Sequence, residues 1–102
     1  MKVFLFVSSK CLHCPKAERI MDMVLPEYRK YDILFRKVRM KTEFGKELST
    51  RYNVMGTPTI LFADNNGDEI DRIVGVPSKD TLRKRLEKSL GLKKSFLDRI
   101  FG

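Results

Sequence analysis

The chain has 102 residues, of which 42% are hydrophobic and 33% charged, and its net charge is +8. This length favours a single domain with its own core. No apolar stretch is long enough to cross a bilayer, and the sequence has neither a zinc-finger spacing nor the glycine–aromatic motif of an RNA-binding strand. We therefore expect no integral membrane span and no nucleic-acid partner, while the positive charge favours acidic partners.

The first half of the chain predicts a βαβ unit. Residues 2–8 form an apolar run typical of a buried strand, and a helix is predicted over 11–25 because apolar residues recur on one face. Pro26 should end or kink this helix, and Tyr28 can extend its apolar face beyond the kink. A second strand at 33–40 should run parallel to the first after a right-handed crossover.

The second half predicts a short helix, a hairpin and a last helix. The inward-facing residues of the short helix at 43–52 are predicted to be Phe44, Leu48 and Tyr52. Strands at 59–63 and 69–74 flank the turn signal Asn65-Asn66-Gly67. Ser78 is a good N-cap for the last helix, and Gly91 marks its end. The predicted order is βαβαββα, an α/β fold with a mixed four-stranded sheet flanked by helices on both faces.

Cys11 and Cys14 are the only cysteines, and they lie in the sequence Cys11-Leu12-His13-Cys14 where the first strand leads into the N-terminus of the first helix. A thiol at a helix N-terminus lies among unpaired backbone N–H groups, so it ionises more readily, and the thiolate is the nucleophile of disulfide exchange. The first apolar run is too short for a signal peptide, so we expect a cytoplasmic location. There, such a pair is more often catalytic or metal-binding than a permanent disulfide.

Three features together resemble the thioredoxin superfamily. They are the Cys-x-x-Cys sequence that opens a helix in a βαβ unit, the segment Val54-Met55-Gly56-Thr57-Pro58-Thr59-Ile60 that leads into a strand, and Val74-Gly75 before the last helix. The likeness is greatest to the short thioredoxin/glutaredoxin-like proteins typical of archaea. It implies a thioredoxin-like domain over residues 1–91, followed by an amphipathic tail at 92–102.

The resemblance implies a protein-disulfide oxidoreductase in which Cys11 attacks a disulfide and Cys14 resolves the mixed disulfide. It also implies that the Thr57–Pro58 bond is cis and lies beside the dithiol, and proline makes a cis bond far less costly than other residues do. Thr57, Pro58 and Gly75 are the substrate-binding residues that it implies. A docked peptide would then pair with the backbone of Thr57 as an added strand.

Two residues beside the cysteines are predicted to modulate their reactivity. His13 can stabilise the Cys11 thiolate, which makes the disulfide a stronger oxidant. Lys10 stands where thioredoxins usually have tryptophan, and it can attract acidic substrates. No nucleotide- or flavin-binding motif is present, so we expect no cofactor, and an external reductase must restore the dithiol.

The expected substrates are protein disulfides. Glutaredoxins usually hold glutathione with a Gly-Gly pair and an acidic residue at the last helix, whereas Gly75 is followed here by Val76 and Pro77. A glutathione-dependent activity is therefore kept only as an alternative. The backbone N–H groups near Ser78 can still bind a carboxylate.

The chain also departs from the thioredoxin pattern at the buried carboxylate that transfers protons. Leu5 occupies that position, so another base, or water, must deprotonate Cys14. Lys37 aligns with the buried lysine of the family, but without the carboxylate we expect a surface lysine.

Alternatives from other functional classes remain open. A metal-binding module is one, although Cys11, His13 and Cys14 supply too few ligands for zinc, and we expect no metal. A non-enzymatic interaction domain is another. In the tail at 92–102, the spacing of apolar residues predicts a helical stripe, which we expect to pack on the domain. The stripe could instead dock a partner, mediate dimerisation or bind an anionic membrane surface. We expect a monomer.

Overall fold

Four strands, three α-helices and a 3-10 helix form the computed structural model, which describes residues 1–92. In chain order the elements are β1 (Lys2–Val7), α1 (Cys14–Val24), the 3-10 helix (Leu25–Tyr31), β2 (Leu34–Arg39), α2 (Glu43–Arg51), β3 (Thr59–Ala63), β4 (Glu69–Val74) and α3 (Lys79–Ser89). This confirms the predicted order βαβαββα. The predicted tail at 92–102 lies outside the described residues except for Leu92, and the domain boundary at residue 91 stays a prediction.

The four strands form one mixed sheet in the order β2-β1-β3-β4. β1 runs parallel to β2 and antiparallel to β3, and β3 runs antiparallel to β4. The register of the parallel pair places Leu5 opposite Lys37 and Val7 opposite Arg39. The carboxyl end of β1, which leads to the cysteines, therefore lies between β2 and β3.

Helices cover both faces of this sheet, because the side chains of β1 alternate between two cores. Val3, Leu5 and Val7 pack in one core with α1 and α3. Phe4 and Phe6 pack in the other with α2. The mixed four-stranded sheet flanked by helices is thus confirmed. None of the described helices has the length and hydropathy needed to cross a membrane.

The first helix begins at Cys14, so the predicted start at Cys11 is wrong. The backbone N–H of Cys11 donates to the carbonyl of Ser8 at 3.3 Å, which closes a turn before the helix. Pro15 then occupies the first helical turn, where its missing N–H and fixed φ are tolerated. Cys11 consequently lies in the turn that leads into α1.

The predicted kink after this helix is confirmed. The chain continues beyond Val24 as a 3-10 helix, and Tyr28 departs from helical geometry at φ −116°. Its ring is buried in the α1-side core, as expected. The hydroxyl donates to Oε2 of Glu87 at 2.8 Å, and burial, together with this carboxylate, raises the pKa of Tyr28.

The second helix differs from prediction at Phe44, which was expected to face inward and is 39% exposed. The Arg36 guanidinium lies 4.7 Å from the centre of its ring. Leu48 and Tyr52 are buried as predicted. Gly45 is buried in place of Phe44, because α2 packs so closely on the end of β2 that a Cβ at position 45 would meet the Arg39 carbonyl. The turn of a helix that approaches this closely has room only for glycine.

The last helix begins and ends as predicted. The Ser78 hydroxyl accepts a hydrogen bond from the Thr81 backbone N–H at 3.0 Å, as an N-cap does. Gly91 adopts φ +80°, and the N–H of Leu92 donates to the carbonyl of Glu87 at 2.7 Å, which satisfies the last turn. The buried Leu82 and Leu86 then hold α3 on the sheet.

Candidate active site

The two cysteines form a disulfide at the point where β1 leads into α1, with their Cα atoms 5.4 Å apart. Cys14 lies on the inward face of α1 and is only 3% exposed, whereas Cys11 is partly buried in the preceding turn. A partner can therefore reach the sulfur of Cys11 more easily than that of Cys14. This is the asymmetry that an attacking and a resolving cysteine need.

Three residues around the disulfide point toward solvent. Leu12 is 90% exposed, and Lys10 and His13 are also exposed. His13 is the N-cap residue of α1, and its side chain makes no capping hydrogen bond. The imidazole is thus free of a capping role and can interact with the turn that holds Cys11. The modulating roles of His13 and Lys10 stay predictions.

The Thr57–Pro58 peptide bond is cis, as the resemblance implied. The Thr57 hydroxyl lies 3.0 Å from the Ser8 hydroxyl, so the loop before β3 is joined to the residue that follows β1. Ser8 also accepts the N–H of Cys11. The structure therefore brings Thr57 and Pro58 to the cysteine turn across a long separation in sequence.

Gly75 lies beside this proline. Its backbone N–H donates to the carbonyl of Pro58 at 2.9 Å, and its φ is +93°, a conformation that favours glycine. Apart from Gly75 and its two chain neighbours, no atom of residues 1–92 lies within 4 Å of the place where a Cβ would stand. The surface above Gly75 is open, so a bound chain has room to approach the backbone there.

Exposed apolar side chains flank these backbone groups. Met55 is 87% exposed and precedes Thr57 by two residues, while Val74 is 73% exposed and pairs with Thr59 in the sheet. Together with Leu12 they form what we call the apolar rim: Leu12, Met55 and Val74. Such exposed apolar groups around a reactive centre are typical of a protein-binding surface.

A cavity of about 380 Å³ opens on the other side of the disulfide. It is bounded by both cysteines, by Glu18 of α1, and by residues of β2 and the loop that follows, including Lys37, Arg39 and Lys41. Nζ of Lys37 lies 2.7 Å from Oε1 of Glu18, and the Lys37 side chain is 39% exposed. Lys37 is therefore a partly exposed lysine with a carboxylate partner.

Sequence reasoning missed Glu18. The signal was available, because Glu18 follows Cys14 by four residues and such residues are neighbours on one helix face. What the sequence did not show was that β2 would place Lys37 against the same face.

Among residues 1–92, no three histidine, cysteine or acidic side chains are grouped so as to hold a metal ion.

The likeness to known proteins extends over almost the whole chain. A family model described as a thioredoxin-like domain matches residues 2–90. A thioredoxin of Methanocaldococcus jannaschii is 31% identical over 91 residues, which are 88% of this chain and 96% of that protein. A probable thioredoxin of Archaeoglobus fulgidus is 29% identical over 87 residues, or 85% of this chain and 87% of its own length.

A longer relative shows the same likeness within part of its length. The chain is 30% identical over 88 residues to a protein disulfide-isomerase of Ricinus communis, a match that covers 84% of this chain and 18% of that protein. Short and long relatives alike thus match nearly all of this domain. The chain belongs to the thioredoxin-like family, and its residues 2–90, with the Cys11–Cys14 pair, form a thiol–disulfide oxidoreductase domain.

Proposed function

We propose that this protein reduces, or exchanges, disulfides of partner proteins through the Cys11–Cys14 pair. One observation carries the proposal: the bonded pair joins Cys11, the more accessible of the two because it is only partly buried, to the almost fully buried Cys14. The accessible sulfur can meet a partner's disulfide, and the buried one is protected from direct attack. Disulfide exchange proceeds through a mixed disulfide, and this arrangement provides for both of its steps.

In the reductive direction, the Cys11 thiolate attacks one sulfur of the partner's disulfide. The Cys11–partner bond forms, the partner's S–S bond breaks, and its second sulfur leaves as a thiolate that takes a proton. Cys14 then attacks the sulfur of Cys11 and releases the first partner sulfur. The partner gains two electrons and two protons, and the protein ends with the Cys11–Cys14 disulfide.

Thr57, Pro58 and Gly75 are proposed to hold the partner during these steps. The open surface at Gly75 and the hydrogen bond between Gly75 and Pro58 support this assignment, because they leave room for an extended chain beside the cysteines. Backbone pairing with Thr57 gives affinity that is independent of the partner's sequence. The apolar rim adds contacts with apolar side chains, which a protein offers and glutathione largely lacks.

Glutathione is the less favoured substrate. At the start of α3, the Ser78 hydroxyl accepts a hydrogen bond from the Thr81 N–H, and the Asp80 carboxylate accepts one from Arg83 at 3.0 Å. These contacts use one backbone N–H and one carboxylate that a glutathione site at this helix would need. We further propose that an external reductase regenerates the dithiol, and that the protein acts as a monomer in the cytoplasm.

Trapping of intermediates tests the proposed roles of the two cysteines. Cys11→Ser should abolish reduction of insulin by the dithiol, whereas Cys14→Ser should accumulate a mixed disulfide that a non-reducing gel resolves. A double Cys11→Ser/Cys14→Ser variant controls for adventitious adducts. Equal activity in the two single variants would overturn the scheme. Analytical ultracentrifugation tests whether the protein is a monomer. The rates at which candidate reductases reduce the disulfide identify the electron donor.

A further inference from the structure

The resolving step needs a proton acceptor, and the sheet beneath Cys14 does not supply one. Leu5, which occupies the position of the family's buried carboxylate, is fully buried and apolar. Cys14 is itself almost fully buried, and burial disfavours the charged form of an ionisable group. The proton of the Cys14 thiol therefore has to leave toward some other group that borders the site.

Glu18 lies where that group is needed. It follows Cys14 by one helical turn on α1, where residues four apart have Cβ atoms about 5–6 Å from each other. Cys14 and Glu18 also border the same cavity. Among the described residues that line this cavity, Glu18 is the only carboxylate, and no histidine lies among them.

Lys37 positions the carboxylate of Glu18. Leu5 and Lys37 are partners in the parallel register, so their side chains leave the sheet on the same face, toward α1. Lys37 Nζ then reaches Oε1 of Glu18 at 2.7 Å. This charge-assisted contact holds the carboxylate at the cavity, where it can accept a proton.

The other charged groups around Glu18 carry both signs. Arg39 of β2 and Lys41 of the following loop also line the cavity, and both are cationic. On α1 itself, Asp22 lies one turn beyond Glu18 and is exposed. The Glu18 side chain is 33% exposed, so a proton that it accepts can pass on to water.

We propose that Glu18 accepts the proton of Cys14 in the resolving step, directly or through one water, and that Lys37 is its positioning residue. This inference rests on the proposed function. As the proton moves to Glu18, the Cys14 thiolate forms a bond to Cys11 and the bond from Cys11 to the partner breaks. The partner leaves with the electron pair as a thiolate, and Glu18 returns the proton to that thiolate or to solvent.

Stopped-flow reaction of the reduced protein with the chromogenic disulfide dithiodipyridine separates the two steps. The first thiopyridone released reports the attack by Cys11, and the second reports the attack by Cys14. At about pH 6, Glu18→Gln should slow the second phase by about tenfold and leave the first phase unchanged. At a pH well above the ordinary thiol pKa of about 8.5, where even a buried thiol ionises without help, the second phase should match the parent.

Asp22→Asn is the matched control, since it removes the same charge one turn further along the same helix, and both of its phases should match the parent. Lys37→Gln should slow the second phase less than Glu18→Gln does, with the same recovery at high pH. An unchanged second phase in Glu18→Gln, or a slowing that is equal at low and high pH, would overturn the inference. Failure of the parent to release the second thiopyridone would instead overturn the proposed function.

Discussion

The hydroxyl groups of Ser8 and Thr57 lie 3.0 Å apart, so a single residue after β1 contacts both halves of the site. The carbonyl of Ser8 accepts the N–H of Cys11, while its side chain bonds to the residue before Pro58. The position of the partner-binding loop relative to the nucleophile therefore depends on this residue.

Ser8→Ala should weaken reduction of protein disulfides more than it weakens the reactivity of the thiol. Loss of one hydrogen bond, worth about 1 kcal/mol, corresponds to a roughly fivefold lower kcat/KM with insulin, because the loop is less well held. The first-phase rate with dithiodipyridine should change less than twofold. Ser49→Ala is the control, because its hydroxyl donates within α2, to the carbonyl of Lys46. Equal losses with both substrates would contradict a role in partner positioning.

His13→Ala should make the disulfide less oxidising. If the imidazole stabilises the Cys11 thiolate, its removal destabilises the reduced form, and the reduction potential should fall by about 30 mV, equivalent to about 1.4 kcal/mol. Equilibration with a glutathione redox buffer gives the potential. Leu12→Ala, a change in the same exposed turn, should leave the potential within about 10 mV of the parent value. A potential that does not respond to His13→Ala assigns the histidine no modulating role.

Gly45→Ala should destabilise the fold. The added Cβ would meet the backbone carbonyl of Arg39 and lie 3.0 Å from the Cα of Met40, and neither atom can move without shifting the end of β2. We expect a loss of about 2–3 kcal/mol in the free energy of unfolding, measured with urea. Gly56→Ala is the matched control, because in the part of the chain that the structure describes no atom beyond its chain neighbours lies within 4 Å of the added Cβ. Similar losses in the two variants would argue against this close approach.

Asp71→Asn should lower stability at neutral pH but not in acid. Two hydrogen bonds from Arg85, at 2.6 and 2.7 Å, hold the pKa of Asp71 below its ordinary value of 3.8. A carboxyl whose pKa is lowered by folding stabilises the protein above its unfolded pKa. That stabilisation is lost as the pH falls through its folded pKa.

The expected loss for Asp71→Asn is about 1 kcal/mol at pH 7, discounted because both side chains are partly exposed to solvent. It should shrink as the pH falls below about 4. Urea unfolding at several pH values measures it, with the exposed Asp22→Asn as the control. A difference that stays constant down to strongly acidic pH would mean that the ion pair is not its source.

Much of the fold followed from local sequence signals. The strand predicted at 59–63 and the N-cap at Ser78 are present as expected, because hydrophobic periodicity and capping depend on residues close in sequence. The position of the cysteine pair was likewise predicted from residues close in sequence. The cis bond before Pro58 came from the family resemblance, which carries information about tertiary structure that propensity does not.

Other features depended on how distant elements meet. Phe44 fits an inward position by spacing, yet the close approach of α2 to β2 places Gly45 there instead. The sequence alone determined that a dithiol would stand between a strand and a helix. Only the tertiary structure decided that Lys37 would meet Glu18 beside that dithiol, because their contact depends on which strand pairs with β1 and in what register.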